Sequence, residues 1–206
     1  MWLFVIITVV CGYLLGNLNG AVLVSHILGD DVRSHGSGNA GLTNFIRNYG
    51  AGRALTVILI DAGKAAVGCV LGGILLKPYL DFSTGSALGG AGVMLGHVFP
   101  AFLGFRGGKG ILSGLFIAVV TDWRIALLIL AVFAVAYLTT QYVSLGSVLA
   151  AITFGLGFMI FHSNNLIMLL CGVFMALLAT AMHWQNILRL LKGQERKTNL
   201  FKKDKT

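Results

Sequence analysis

Apolar residues run along this chain in seven blocks with short polar interruptions. The blocks cover about residues 2–28, 54–76, 85–104, 110–121, 125–138, 143–161 and 165–183. Crossing a bilayer as a helix takes roughly 20 apolar residues, so each block is a candidate span. The fourth and fifth are short and are separated by "TDWR" at 121–124. One merged helix would hold Asp122 and Arg124 in mid-membrane at a cost of several kcal/mol, so the pattern predicts a tight turn between two spans. Pro100 inside the third block predicts a broken or kinked helix. The first block, "MWLFVIITVVCGYLLG" onward, lacks a preceding basic region and runs beyond signal-peptide length, which predicts a retained span. The expectation is an all-α integral membrane protein of one domain over residues 1–206, with seven transmembrane helices, some short or broken.

Composition strengthens this reading. Of 206 residues, 57% are hydrophobic and 11% charged, against about 25% charged in a soluble domain. The formal net charge is +8, which in a soluble protein would suggest nucleic acid. Here seven of the fifteen Lys and Arg lie between 189 and 205, a basic tail suited to anchoring at anionic lipid. No nucleic-acid partner is expected, and the partner surface is the lipid bilayer. With the N-terminus outside and seven crossings, twelve of the fifteen cations fall on the cytoplasmic side, and only Lys77 and Arg124 outside. Six crossings would send the basic tail outward, against the positive-inside rule. The three cysteines, Cys11, Cys69 and Cys171, lie in apolar runs without metal spacing and read as packing residues. Neither metal nor cofactor is expected.

That topology gathers the polar stretches on one face. "GSGNAGLTNFIR" at 36–47 interleaves glycines with Ser37, Asn39, Thr43 and Asn44, and ends in Arg47. Glycines let backbone N–H groups turn toward an anion, a following helix N-terminus adds its dipole, and arginine offers a bidentate fork for phosphate. One capped turn needs a single such residue, not four. "GFRGGKG" at 104–110 adds Gly107, Gly108, Lys109 and Gly110 as a second phosphate cradle. It is not a Walker A loop, because Gly110 follows the lysine and no strand precedes. "HWQNILRL" sets His183, Asn186 and Arg189 on one helical stripe. Glu195 is expected to pair with a nearby cation and hold the tail down. His97 reads as a buried structural hydrogen bonder. Asp61 and Lys64, three apart inside the second block, are expected to pair and to support the first loop.

In their order and spacing, "GSGNAGLTNFIR", "DAGK", "GHVFPAFLGFRGGKG", "YVSLGSV" and "HWQNILRLLKGQE" resemble the bacterial acyl-phosphate:glycerol-3-phosphate acyltransferase family over nearly the whole chain. The resemblance implies a multi-pass enzyme of the bacterial cytoplasmic membrane with its active site on the cytoplasmic face. It implies transfer of a fatty acyl group from acyl phosphate to the 1-position of glycerol 3-phosphate, giving lysophosphatidic acid and inorganic phosphate, the first step of phospholipid synthesis. Carried onto this chain, it assigns Ser37, Arg47, Lys109, His183 and Asn186 to catalysis. Asn39, Thr43, Asn44, Gly107, Gly108, Gly110 and Ser144 fall to substrate binding, and Asp61, Lys64 and Glu195 to structural support. The chain departs from the usual pattern at "GNLNG" (16–20), at Ala65 after "DAGK", and at "GKGIL".

Both implied substrates are anions, which accounts for fixed cations and hydrogen-bond donors in a site expected to lack a resident carboxylate. With phosphate as a good leaving group, catalysis is mainly positioning and charge stabilisation. Arg47 and Lys109 would hold phosphates, and Ser144, His183 and Asn186 would grip glycerol 3-phosphate. The base is either His183 or an oxygen of the acyl phosphate. Two rivals remain. His26 and Asp31 fit an H-x-x-x-x-D acyltransferase pattern, but the expected partner motif is absent and a helix would point the pair apart. A small anion transporter would suit the basic loops, but the polar motifs lie on one face and no inverted repeat is evident.

Overall fold

The computed structural model describes residues 1–198, and all regular structure among them is helical. In chain order the helices are α1 (Trp2–Gly16), α2 (Gly20–Ile27), α3 (Leu42–Tyr49), α4 (Ala54–Leu76), α5 (Phe82–Val98), α6 (Ile111–Thr121), α7 (Trp123–Thr140), α8 (Val143–Phe161), α9 (Leu166–Ala181) and α10 (Trp184–Leu191). Every apolar block became helix. Among the described residues, five stretches are long and apolar enough to cross a membrane, or six if α9 and α10, bent by 55°, count as one. At eleven residues α6 rises only about 16 Å, roughly half the hydrocarbon thickness.

The first block is two helices, broken at 17–19. Asn19 caps α2 by accepting from the Val22 N–H at 3.0 Å and also donates to Ala40 O at 2.9 Å. The Gly20 N–H donates to Asp61 Oδ1 at 3.2 Å, while Lys64 Nζ, 2.7 Å from the same carboxylate oxygen, donates to the carbonyls of Gly16 and Leu18. The intramembrane pair thus satisfies backbone groups that a broken helix exposes at membrane depth. The Asp61–Lys64 pairing is as expected. What it supports is the α1–α2 break, rather than the loop after α2.

Helices α1 and α4 both pack on α5 at backbone distance, and also on each other. A Cβ on Gly96 would lie 2.1 Å from Tyr13 O, and one on Gly89 would lie 2.2 Å from Gly68 O. Small residues supply such close seams in a membrane, where van der Waals contact rather than hydrophobic exclusion holds helices together. The main core fills the space between α5, α6, α7, α8 and α9 with Met94, Ile117, Ile125, Phe158 and Met175. The turn predicted at 121–124 is present. Asp122 caps α7 through the Arg124 N–H at 3.0 Å and is joined by His162 Nε2 at 3.0 Å, tying the turn to the end of α8. The third block stops at Val98, and a short 3-10 turn over Ala101–Leu103 follows Pro100.

Candidate active site

The polar stretches converge on one cavity of about 310 Å³. The loop before α3, the N-terminus of α6, the faces of α7 and α8, and the α9–α10 corner form its walls. Ser37, Asn39, Thr43, Asn44, Arg47, Lys109, Gly110, Ser144, His183, Asn186 and Glu195 all line it, as do Asp61 and the structural His97. Its inner wall is apolar, with Leu115, Ile129, Leu130, Phe133 and Ala150. A charged group is therefore favoured at one end and a hydrocarbon at the other.

The first loop is shaped by Asn44. Its amide donates to the carbonyls of Val32, His35 and Asn39 at 3.0–3.1 Å, and its Oδ1 accepts from the Ser37 N–H at 3.0 Å. The resemblance assigns Asn44 to substrate binding. Its donors and acceptor are instead engaged within the loop, which holds Ser37 and Asn39 against the cavity. Gly36 and Gly38, at φ 59° and 69°, make the reversal that this requires. Arg33 pins the loop from outside, gripping Asp31 and donating to Leu103 O at 2.9 Å.

The glycine-rich loop also differs from expectation. Gly107 and Gly108 do not line the cavity. They lie on buried His97, where a Cβ would meet His97 O at 2.0 Å and His97 Nε2 at 2.1 Å respectively. The Gly108 N–H donates to His97 O at 3.0 Å, so it is not free for an anion. The two glycines approach His97 closely, and Lys109 and Gly110, next in the chain, line the cavity. His97 is the structural hydrogen bonder expected, its Nδ1 accepting from Lys64 Nζ at 2.8 Å.

Lys109 Nζ contacts Asn186 Oδ1, and Asn186 Nδ2 donates to Glu195 Oε1 at 2.9 Å. Arg189 Nε donates to the other carboxylate oxygen at 2.7 Å. Burial, then the charges of Arg189 and Arg47, push the Lys109 pKa down to about 8 against the pull of Glu195. Burial raises the Glu195 carboxyl, yet hydrogen bonds from Arg189 and Asn186, with the Arg189 charge, hold it below the ordinary value. The cavity lining thus contains two carboxylates, contrary to expectation, but each is paired: Asp61 with Lys64, and Glu195 with Arg189 and Asn186. His183 is buried at the start of α10, with Nδ1 2.8 Å from Ala179 O. A carbonyl only accepts, so Nδ1 carries the proton and Nε2 of the neutral ring is the acceptor.

Several contributors were not assigned to the site from sequence. Ser147 lines the cavity beside Ser144 one turn along α8, and Arg189 completes the Lys109–Asn186–Glu195 cluster. The three-residue spacing of Asn186 and Arg189 was the legible signal for the latter. Thr198 had none: its hydroxyl accepts from Arg47 Nε at 3.0 Å, and its backbone is tied to Gln141 O and the Tyr137 hydroxyl. The tail start therefore folds along the cavity rim; the remainder of the expected basic anchor, 199–206, lies outside the described residues. His26 Nε2 does approach Asp31 Oδ2, at 3.5 Å, because α2 ends and the chain turns at Gly29. The pair lies on the surface, with the His26 side chain 52% exposed, and neither residue lines the cavity. Among the described residues no group of His, Cys, Asp or Glu could hold a metal ion, and the cysteines are free.

Comparison with known proteins gives a consistent picture. A family model described as glycerol-3-phosphate acyltransferase matches residues 6–193. A protein of that name from Thermoanaerobacter pseudethanolicus is 36% identical over 196 residues, covering 95% of this chain and 96% of its own. Another, from Anaeromyxobacter dehalogenans, is 38% identical over 193 residues, covering 93% and 96%. The fold is similar to the crystal structure of PlsY (YgiH), an integral membrane glycerol 3-phosphate acyltransferase, in its glycerol 3-phosphate form. The TM-score is 0.86 at 29% identity, over 96% of this chain and 99% of that one. The lysophosphatidic acid form of that protein gives a TM-score of 0.83 at 28% identity, over 95% and 96%.

Proposed function

The chain belongs to the glycerol-3-phosphate acyltransferase family, and from that premise we propose that it acylates the 1-hydroxyl of glycerol 3-phosphate using acyl phosphate, giving lysophosphatidic acid and inorganic phosphate. The observation that carries the reading is the cavity's polarity. Arg47, Lys109 and Arg189 gather at one end, and the inner wall is hydrocarbon. Such a space suits two phosphate-bearing substrates, one of which carries an acyl tail.

In this reading Arg47 and Lys109 grip phosphate by charge-assisted hydrogen bonds. Ser37, Asn39 and Thr43 orient the donor, while Ser144, His183 and Asn186 hold glycerol 3-phosphate. The hydroxyl oxygen attacks the acyl carbonyl carbon, the bond from that carbon to the bridging oxygen breaks, and phosphate departs with the electron pair. Both Glu195 oxygens are engaged by Asn186 and Arg189, so the carboxylate is a poor candidate for base. The hydroxyl proton passes to an oxygen of the donor's own phosphate, and His183 Nε2 aligns the hydroxyl. Preorganised cations stabilise the charge that develops.

We also place the N-terminus outside, the C-terminus and the active site on the cytoplasmic face, and seven crossings in a bacterial cytoplasmic membrane. Here α6 alone makes a thin crossing, and the 3-10 turn belongs to the end of the span before it. The concentration of cations on one side supports this arrangement.

The test uses purified protein in detergent micelles, glycerol 3-phosphate and one donor at a time. Acyl phosphate should give lysophosphatidic acid and inorganic phosphate in equal amounts. A comparable rate from acyl-CoA or acyl carrier protein would refute the donor assignment. A transporter would show no turnover without a sealed vesicle.

A further inference from the structure

Behind the apolar wall of the cavity lies a second void of about 20 Å³. The two spaces share Gly110, Ile111, Leu115, Ile129 and Ala150, so only a thin partition divides them. Buried Phe154 and Met175 line only this second space, and buried Met94 lies against Gly110 of the partition. No lining residue has a polar side chain. A water molecule needs polar partners to remain in a cavity, so this void favours hydrocarbon.

Helix α8 measures its depth. Ser144 and Ser147 face the polar end of the cavity, Ala150 lies on the partition, and Phe154 stands beyond it. Ten residues separate Ser144 from Phe154, about 15 Å of helix. The path therefore runs from the phosphate-binding end into the core and becomes wholly apolar as it goes.

Met94 is the adjustable part of this path. It lies over the first turns of α6: a Cβ on Gly110 would be 2.2 Å from Met94 Sδ, and one on Gly114 would be 3.1 Å from Met94 Cε. An unbranched thioether adapts its shape readily, whereas the Phe154 ring on the same lining is rigid.

We propose that the donor's acyl chain passes Ala150 into this void, and that Met94, which shares its lining with Phe154 and Met175, sets the longest chain the protein accepts. The inference rests on the acyltransferase reading above and adds to it a residue that determines chain-length specificity.

The experiment gives purified protein glycerol 3-phosphate with acyl phosphates of eight to eighteen carbons, one at a time, and reads kcat/KM from lysophosphatidic acid formed. Met94→Ala should favour longer chains and Gly114→Val shorter ones. The ratio of long-chain to short-chain kcat/KM should move in opposite directions, by about tenfold each, the scale of adding or removing a methylene or two in an apolar pocket. Variants with the wild-type gel-filtration profile and the wild-type ratio overturn the proposal, as does a shift in the same direction in both. Wild-type protein gives an independent reading, which holds even if the variants do not accumulate. Inhibition by lysophosphatidic acids of graded length should strengthen up to a break and no further, and a steady rise through eighteen carbons overturns the proposal. If the wild type makes no lysophosphatidic acid from any acyl phosphate, the acyltransferase reading itself fails. Full turnover with a flat chain profile refutes only the role of the void.

Discussion

Replacing Asp61 by asparagine should destabilise the protein without entering the chemistry directly. Asp61 and Lys64 are among the most enclosed charges in the molecule, with side chains 2% and 1% exposed and 2.7 Å between Oδ1 and Nζ. Breaking a buried pair from one side costs about 3–5 kcal/mol, because the remaining charge is left without compensation. The asparagine amide oxygen would still accept from the Gly20 N–H, and Lys64 would keep the carbonyls of Gly16 and Leu18 and the His97 ring. These partners favour the lower end, about 3 kcal/mol. At about 2–4 °C per kcal/mol for a chain of this size, the apparent melting midpoint should fall by about 6–12 °C. The assay is thermal unfolding in one detergent at a fixed scan rate, with activity per folded molecule measured alongside. Asp61→Asn combined with Lys64→Gln removes the lone charge and keeps an amide donor for the carbonyls, so the double variant should recover part of the loss. Normal melting with lost activity in Asp61→Asn would refute this reasoning and place the pair in the mechanism.

Four other outcomes are expected. Arg47→Ala and Lys109→Ala should each lower product formation by about ten- to more than a hundredfold at equal membrane insertion, since each loses a charge-assisted contact of about 1.5–3 kcal/mol; wild-type turnover would remove them from the site. The Lys109 ammonium is present below its pKa of about 8 and lost above it, so kcat/KM should fall as pH rises through about 8, with the kcat limb at higher pH because bound phosphate favours the ammonium. A limb unchanged in Lys109→Arg would assign it to another group. Gly108→Ala, whose Cβ would lie 2.1 Å from a ring held by Lys64, should displace Lys109 and lower activity, and unchanged kinetics would show that the loop relaxes without moving the lysine. With Cys11, Cys69 and Cys171 removed, a single cysteine near Arg189 should be labelled only from the cytoplasmic side and one near Lys77 only from outside; labelling of both from one side would sink the seven-crossing arrangement.

The helices and several features of the site were legible because their energetics are local. An apolar block must satisfy its own backbone in lipid, so it becomes a helix wherever it lies in the chain. Asp122 and Arg124 had to leave the membrane interior, so the turn at 121–124 followed from their charge alone. Arg47, Lys109, His183 and Asn186 stood out as polar groups in an apolar chain, and the cavity contains all four. What each polar group bonds to was decided by contacts between distant segments. Lys109 meets Asn186 across 77 positions, and Arg47 meets Thr198 across 151. Asn44 could have faced a ligand, but in the folded loop three carbonyls converge on its amide. Gly107 and Gly108 belonged to a phosphate-like motif until packing set them on His97. Glu195 and Thr198 joined the site because α10 turns the chain back over the cavity rim. The sequence by itself determined which groups need partners and which segments are apolar enough to become membrane helices. Only the tertiary structure decided which partners they found, because a hydrogen bond depends on approach within about 3 Å and a linear pattern carries no such distance.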